Sequence, residues 1–108
     1  MPDDCRVQVK GDAPRFTLTL PMRYRPTGHP QWRNTKTANV SSSGALFLAT
    51  ETLAAGQQLE VEISMTATML KPSRIVATSE VVRQGCNKQL LMTAVHHREY
   101  RMVDGDLE

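Results

Sequence analysis

Apolar and polar side chains alternate along most of the chain, and a period of two predicts β-strands. The clearest run covers residues 16–25, where every second side chain from Phe16 to Tyr24 is apolar or aromatic. The side chains between them are threonine, proline or arginine. Pro21 lies on the polar side of this strand and predicts an edge position or a bulge, because proline has no N–H to donate.

Five further segments complete a set of six predicted strands: residues 32–40, 45–49, 59–65, 75–83 and 90–95. Stretches rich in Gly, Pro, Asn and Ser separate them at spacings typical of an antiparallel sandwich or barrel. A closed barrel has the advantage that it leaves no exposed strand edges. Residues 97–103 predict a short C-terminal helix or turn. The fold class is therefore a small all-β domain.

Length and composition agree with a single soluble domain. At 108 residues the chain buries a core without metal or disulfide support. No apolar run approaches the ~18 residues of a membrane span. The first residues lack the features of a signal peptide, so we expect a cytoplasmic protein in which Cys5 and Cys86 are reduced.

The net charge of +2 conceals an asymmetry between the two parts of the chain. Residues 1–36 carry seven basic and three acidic side chains, a balance of +4, whereas residues 37–108 carry six and eight, a balance of −2. A cationic N-terminal third indicates that an anion is bound there, or it is simply a solvated strand face. Charge alone leaves both interpretations open.

Catalytic and metal-binding patterns are weak. Ser41 is not part of a GxSxG elbow, no motif surrounds Cys86, and we expect no enzymatic activity. Adjacent strand residues point to opposite faces, so His96 and His97 do not share a metal ion.

Two further groups of residues are explained more simply by their place on a strand than by a function. Glu60 and Glu62 fall on the polar face of their strand, where they are expected to be solvated acids. Single-stranded nucleic acid binds surfaces that combine arginine with aromatic side chains, and the chain offers Tyr24, Trp32, Arg23, Arg25 and Arg33. Because Tyr24 shares the apolar strand face and the net charge is small, extended nucleic acid is the weakest of the binding hypotheses.

The order of segments "RFTLTLPMRYR", "NVSSSG", "ALFLAT" and "LEVEI" resembles the PilZ domain, a bacterial receptor for the second messenger cyclic di-GMP. The resemblance runs from about residue 10 to residue 103. It implies a six-stranded antiparallel β-barrel over residues 15–103. Residues 1–14 would be a flexible basic N-terminal segment, and residues 104–108 a C-terminal tail whose last two residues we interpret as tag-derived.

Two motifs carry the family's ligand site. The first is (D/N)xSxxG, which is complete here as Asn39, Ser41 and Gly44. The second is RxxxR before the first strand, in which Arg15 matches the second arginine.

The first arginine of RxxxR is replaced by Gly11, and Lys10 is adjacent to it. The resemblance implies a ligand site at Arg15, Asn39, Ser41 and Gly44, with no metal and no cofactor apart from the ligand itself, and a shift of the lead-in by one residue would bring Lys10 into this site. Lysine is a point charge and does not reproduce the two-pronged contact of arginine with a phosphate or a guanine edge.

Two function hypotheses follow. In the first, the domain is a cyclic di-GMP receptor or adaptor that relays the signal to a partner protein in motility, exopolysaccharide or virulence control. In the second, it is a divergent PilZ-like domain that has lost the ligand and acts as a protein–protein interaction module. Gly11 favours the second hypothesis and the complete Asn39-to-Gly44 motif favours the first. A turn between two strands also needs these residue types when no ligand is present.

Overall fold

The computed structural model describes residues 17–87 and 90–107, which form a closed antiparallel barrel of six strands. The strands are β1 Pro21–Pro26, β2 Arg33–Ser41, β3 Gly44–Ala49, β4 Gln58–Ser64, β5 Ser73–Asn87 and β6 Leu90–Asp104, in the barrel order β1-β2-β3-β6-β5-β4. A short 3₁₀ turn at Thr66–Thr68 lies between β4 and β5. Within the described ranges, no helix is long and apolar enough to cross a membrane. The predicted all-β barrel is confirmed.

The barrel interior is filled by the apolar side chains of the alternating strand positions. Its largest fully buried members include Tyr24, Phe47, Met22, Leu59 and Ile63. The rings of Tyr24 and Phe47 pack with centroids 5.0 Å apart at an angle of 47°. Burial of each such side chain contributes about 1.5–3 kcal/mol, so this cluster is the main source of stability.

β1 is shorter than the predicted strand and begins at Pro21. Just before β1, the side chain of Thr37 in β2 takes the place of regular backbone pairing between strands. The Thr37 hydroxyl donates to the Leu18 carbonyl (2.6 Å), and it accepts a hydrogen bond from the Leu20 N–H (2.9 Å). Pro21 is the first residue of its strand, where a missing N–H is tolerated. The predicted edge position or bulge is therefore wrong, because β1 is paired on both sides and both pairings are regular.

β5 and β6 form a long ribbon, flanked by β4 along the first part of β5 and by β3 along the first part of β6. They pair from Ser73 with Asp104 through Asn87 with Leu90, whereas β3 pairs with β6 only as far as His96. The predicted helix over residues 97–103 is wrong, since these residues continue β6, and the chain leaves the strand at Gly105. A bulge places His97 opposite Ser79 and residue 99 opposite Thr78, so one residue is extra.

Candidate functional site

The segment "NVSSSG" forms the β2–β3 hairpin at one end of the barrel. Ser41 pairs with Gly44 and closes a two-residue turn made by Ser42 and Ser43. The Ser41 hydroxyl accepts a hydrogen bond from the Ser43 N–H at 3.2 Å and lies 3.1 Å from the Ser43 hydroxyl. Such a local bond from side chain to backbone stabilises a turn. Ser41 therefore has a structural role of its own.

Gly44 is buried where β3 approaches β6. It pairs with His96, and a Cβ atom at this position would overlap the carbonyl oxygen of Val95 and lie 3.2 Å from the carbonyl carbon. Its φ angle is outside the left-handed region that favours glycine. The close approach of two strands thus explains Gly44, whereas its predicted contact with a ligand stays a prediction.

Asn39 is the motif residue whose side chain is not used by the hairpin. It follows an irregularity in the β2–β3 pairing, where the register shifts between Thr37 and Asn39, and it lies opposite Leu46. It is half-buried, and its amide makes no hydrogen bond to any side chain or backbone group in residues 17–87 or 90–107. An amide offers both a donor and an acceptor, which suits a guanine edge or a phosphate.

Residues 17–20, which lead into β1, lie next to this hairpin. Residues 17–20 run beside Thr37, whose N–H donates to the Leu20 carbonyl at 2.9 Å. These described residues therefore lie beside β2 at a point two residues before Asn39. Lys10, Gly11 and Arg15 lie outside the described residues, so their predicted place in the site stays a prediction.

His97 lies beneath the hairpin and supports it from β6. Its backbone N–H donates to the Ser43 carbonyl at 2.8 Å, and its buried ring places Nδ1 2.8 Å from the Ser79 hydroxyl. Nε2 is buried without a partner among the described residues. Burial, with a smaller effect of His96, lowers the pKa of His97 from 6.5 to about 4.

His96 and His97 point to opposite faces of β6, as the sequence predicts, since His96 is exposed and His97 is buried. The described part of the chain contains no cluster of three or more potential metal ligands. Cys86 is a free, exposed thiol near the end of β5.

A ladder of arginine and glutamate side chains covers the outer face of β1 and β4. Arg23 binds Glu62 and Arg25 binds Glu60, each with a shortest N–O distance of 2.8 Å. The guanidinium carbons of Arg23 and Arg25 lie 4.4 Å and 4.2 Å from the ring centre of Trp32. The predicted solvated acids are therefore wrong: both glutamates are ion-paired, and Glu62 is buried.

The sequence contains a pattern from which this ladder could have been predicted. Arginine occupies alternate polar positions 23 and 25, and glutamate occupies alternate polar positions 60 and 62. Two such strands match in charge when they are antiparallel neighbours, because directly opposed side chains share a face. The register confirms this match, since Arg23 lies opposite Glu62 and Arg25 opposite Glu60.

The same contacts weaken the nucleic-acid hypothesis. Arg33 also has a carboxylate partner, Glu51, at 2.6 Å, and Tyr24 is fully buried in the core. The arginines of this face are thus compensated by nearby acids, so the face offers little free positive charge to a polyanion.

Glu62 is expected to contribute more to stability than its neighbour Glu60. It accepts hydrogen bonds from Arg23 and Arg74, and replacement by alanine leaves the guanidinium of Arg23, a side chain only 14% exposed, without its carboxylate partner. We expect Glu62→Ala to lower the free energy of unfolding by about 2 kcal/mol, between the values for exposed and fully buried pairs. Urea denaturation measures this loss. Glu60→Ala is the matched control with an expected loss under about 1 kcal/mol, and equal losses for the two variants would contradict the argument.

Comparisons with known proteins agree with this architecture. The family model for the PilZ domain matches residues 10–100. The solved structure of the inhibitor of motility (MotI/DgrA) of Bacillus subtilis superposes with a TM-score of 0.74 at 16% sequence identity. The match covers 89% of this chain and 46% of that chain, so the domain spans less than half of that protein. No curated protein matches the sequence.

Proposed function

The chain belongs to the PilZ domain family, and on that premise we propose that it is a receptor for cyclic di-GMP that relays the signal to a partner protein. The observation that carries the proposal is the position of Asn39. Its half-buried amide, which makes no hydrogen bond within the described residues, lies on the strand of the hairpin two residues after Thr37, beside which residues 17–20 lead into β1. Receptors of this kind bind and transmit rather than catalyse.

The proposed site has a rigid part and a cationic part. Ser41 and Gly44 hold the hairpin in place through the turn and the close contact with β6. Asn39 then provides a donor and an acceptor to the ligand. Arg15 and Lys10 supply positive charge from the N-terminal segment, and the guanidinium of Arg15 suits a phosphate or a guanine edge.

A protein partner is the second element of the proposal. The structurally similar protein of Bacillus subtilis is an inhibitor of motility. We extend from it the idea that this domain acts on a protein in motility, exopolysaccharide or virulence control. Ordering of the N-terminal segment by the ligand would change the surface at this end of the barrel.

Asn39→Ala is expected to weaken cyclic di-GMP binding with little change in stability. A hydrogen bond to a charged group contributes about 1.5–3 kcal/mol, so the dissociation constant should rise roughly tenfold to a hundredfold. Isothermal titration calorimetry at moderate salt measures the constant, and Arg15→Ala should weaken binding at least as much. The matched control is Asn34→Ala, an exposed asparagine on the same strand, which should bind as the wild type does.

Two results would contradict the proposal. Equal affinities of Asn39→Ala and Asn34→Ala would remove Asn39 from the site. If the folded wild-type protein does not bind cyclic di-GMP at high ligand concentration, the receptor role is excluded. The replacement of the first arginine by Gly11 would then account for the loss, and the protein–protein interaction module would be the remaining function.

A further inference from the structure

The second half of β6 has an edge that no described strand covers. β3 covers β6 from Leu91 to His96 and ends there, whereas β5 continues to pair with β6 as far as Asp104. Among the described residues, none pairs with the other side of β6 beyond His97. An uncovered strand edge is a template for another strand, and proteins normally cover or disrupt it.

The direction of the backbone groups along this edge follows from the neighbouring contacts. The His97 N–H donates to Ser43, on the side of β3, and the Gly105 N–H donates to Pro72, on the side of β5. In an antiparallel ladder the N–H and C=O of one residue point to the same side, and those of the next residue point to the other. After the bulge, the backbone groups of Tyr100 and Met102 therefore point to the open edge and not to β5.

The side chains on this edge are apolar on one face and charged on the other. Tyr100 and Met102 lie opposite Ala77 and Ile75, which belong to or pack against the core, yet they are 54% and 50% exposed. Exposed apolar side chains that continue a buried face mark a contact surface. On the other face, Glu99 and Arg101 form no ion pair with any described residue.

We propose that a second copy of this chain covers the open edge, so that two β6 strands pair antiparallel about a two-fold axis at Tyr100. This register places Glu99 of each chain opposite Arg101 of the other, which gives two symmetric pairs of opposite charge. It also places the two Tyr100 residues opposite each other with their N–H and C=O groups facing across the axis. Opposite charges and aromatic side chains are both favourable cross-strand neighbours.

The charge pattern selects this register over its neighbours. A shift of the axis to Arg101 would oppose the two Arg101 side chains, and an axis between Arg101 and Met102 would oppose Glu99 to Asp104. Like charges directly opposite each other are destabilising. A C2 contact of this type is also closed, because each edge is used once and no further copy is added.

Sedimentation velocity over a series of protein concentrations tests the proposal. The wild-type protein should reach twice the mass of one chain. Glu99→Arg and Arg101→Glu each create two repulsive pairs and should raise the dimer dissociation constant roughly tenfold or more. An equimolar mixture of these two variants should dimerise again, since every cross-strand pair in the mixed dimer is attractive. Lys36→Glu, an exposed charge change on β2, is the matched control and should dimerise as the wild type does.

A proline substitution tests whether the backbone groups of the open edge form the contact. Tyr100→Pro removes an N–H that points to the open edge, so the protein should stay folded, as seen by circular dichroism, but become monomeric. The proposal is overturned if the wild type is monomeric at all concentrations. It is also overturned if both charge variants dimerise as the wild type does, or if the mixture of the two monomeric variants stays monomeric. Protection of the Tyr100 amide from hydrogen exchange in a monomer would show that the chain itself covers the edge.

Discussion

Gly44→Ala is expected to be among the most destabilising single substitutions in the described part of the barrel. The added methyl group would overlap the Val95 carbonyl oxygen, which belongs to the backbone of β6 and does not move without separating β3 from β6. Overpacking normally costs about 1–3 kcal/mol, and a rigid backbone neighbour puts this position at the upper end, at about 3 kcal/mol or more. The barrel should remain folded at low temperature but with a much lower denaturation midpoint.

Chemical denaturation of the ligand-free protein measures this loss, and Gly28→Ala is the control. Gly28 has a φ of 93° but open space around its Cβ position, so alanine there meets only backbone strain of about 1–2 kcal/mol. A Gly44→Ala protein as stable as Gly28→Ala or more so would contradict the explanation. Gly44 would then have to be explained by the ligand and not by the fold.

The barrel was predictable because the alternation of side chains is regular where a strand has one buried face. Residues 59–65 alternate cleanly, and the structure places β4 at Gln58–Ser64. Closure into a barrel is a consequence of long-range pairing between β1 and β4. The sequence could only favour it over a sandwich through the need to remove edges.

The second half of β6 was not predictable in the same way. The extra residue at the bulge puts His97 and Tyr100 on one side of the strand, a spacing of three that is typical of a helix turn. A bulge is defined by the partner strand, here β5, and it leaves no local signal in the sequence. The open edge that follows from this extended strand was hidden for the same reason.

The sequence predicted that the candidate site is a hairpin, but it did not predict what each residue of the hairpin does. Turn residues locate the β2–β3 connection, and the motif identifies Asn39, Ser41 and Gly44. The separate tasks of these residues depend on β6, because Val95 explains the glycine and His97 holds Ser43. Both partners are about fifty residues away along the chain, so only the fold brings them together.

His97 makes the support of this hairpin sensitive to acid. His97 is 6% exposed, its ring Nδ1 is hydrogen-bonded to Ser79, and its ring Nε2 has no partner in the described part of the structure. Protonation would place a charge in this site, next to the exposed His96 on the same strand. Burial is therefore the main reason that the pKa of His97 falls to about 4 in the folded protein.

The folded protein is expected to lose stability as the pH falls from about 6.5 to about 4, because the unfolded chain binds a proton at His97 over this range and the folded chain does not. The pKa difference between 6.5 and about 4 corresponds to about 3 kcal/mol of stability, all of which is retained above pH 6.5.

Urea unfolding at a series of pH values measures the slope of the free energy of unfolding against pH. His97→Gln, which keeps a polar partner for Ser79 but does not titrate, should flatten the profile in this window. His96→Gln is the control on the exposed neighbour and should keep most of the slope. If the wild type and His97→Gln lose the same stability between these pH values, the buried imidazole is not the cause of the pH dependence.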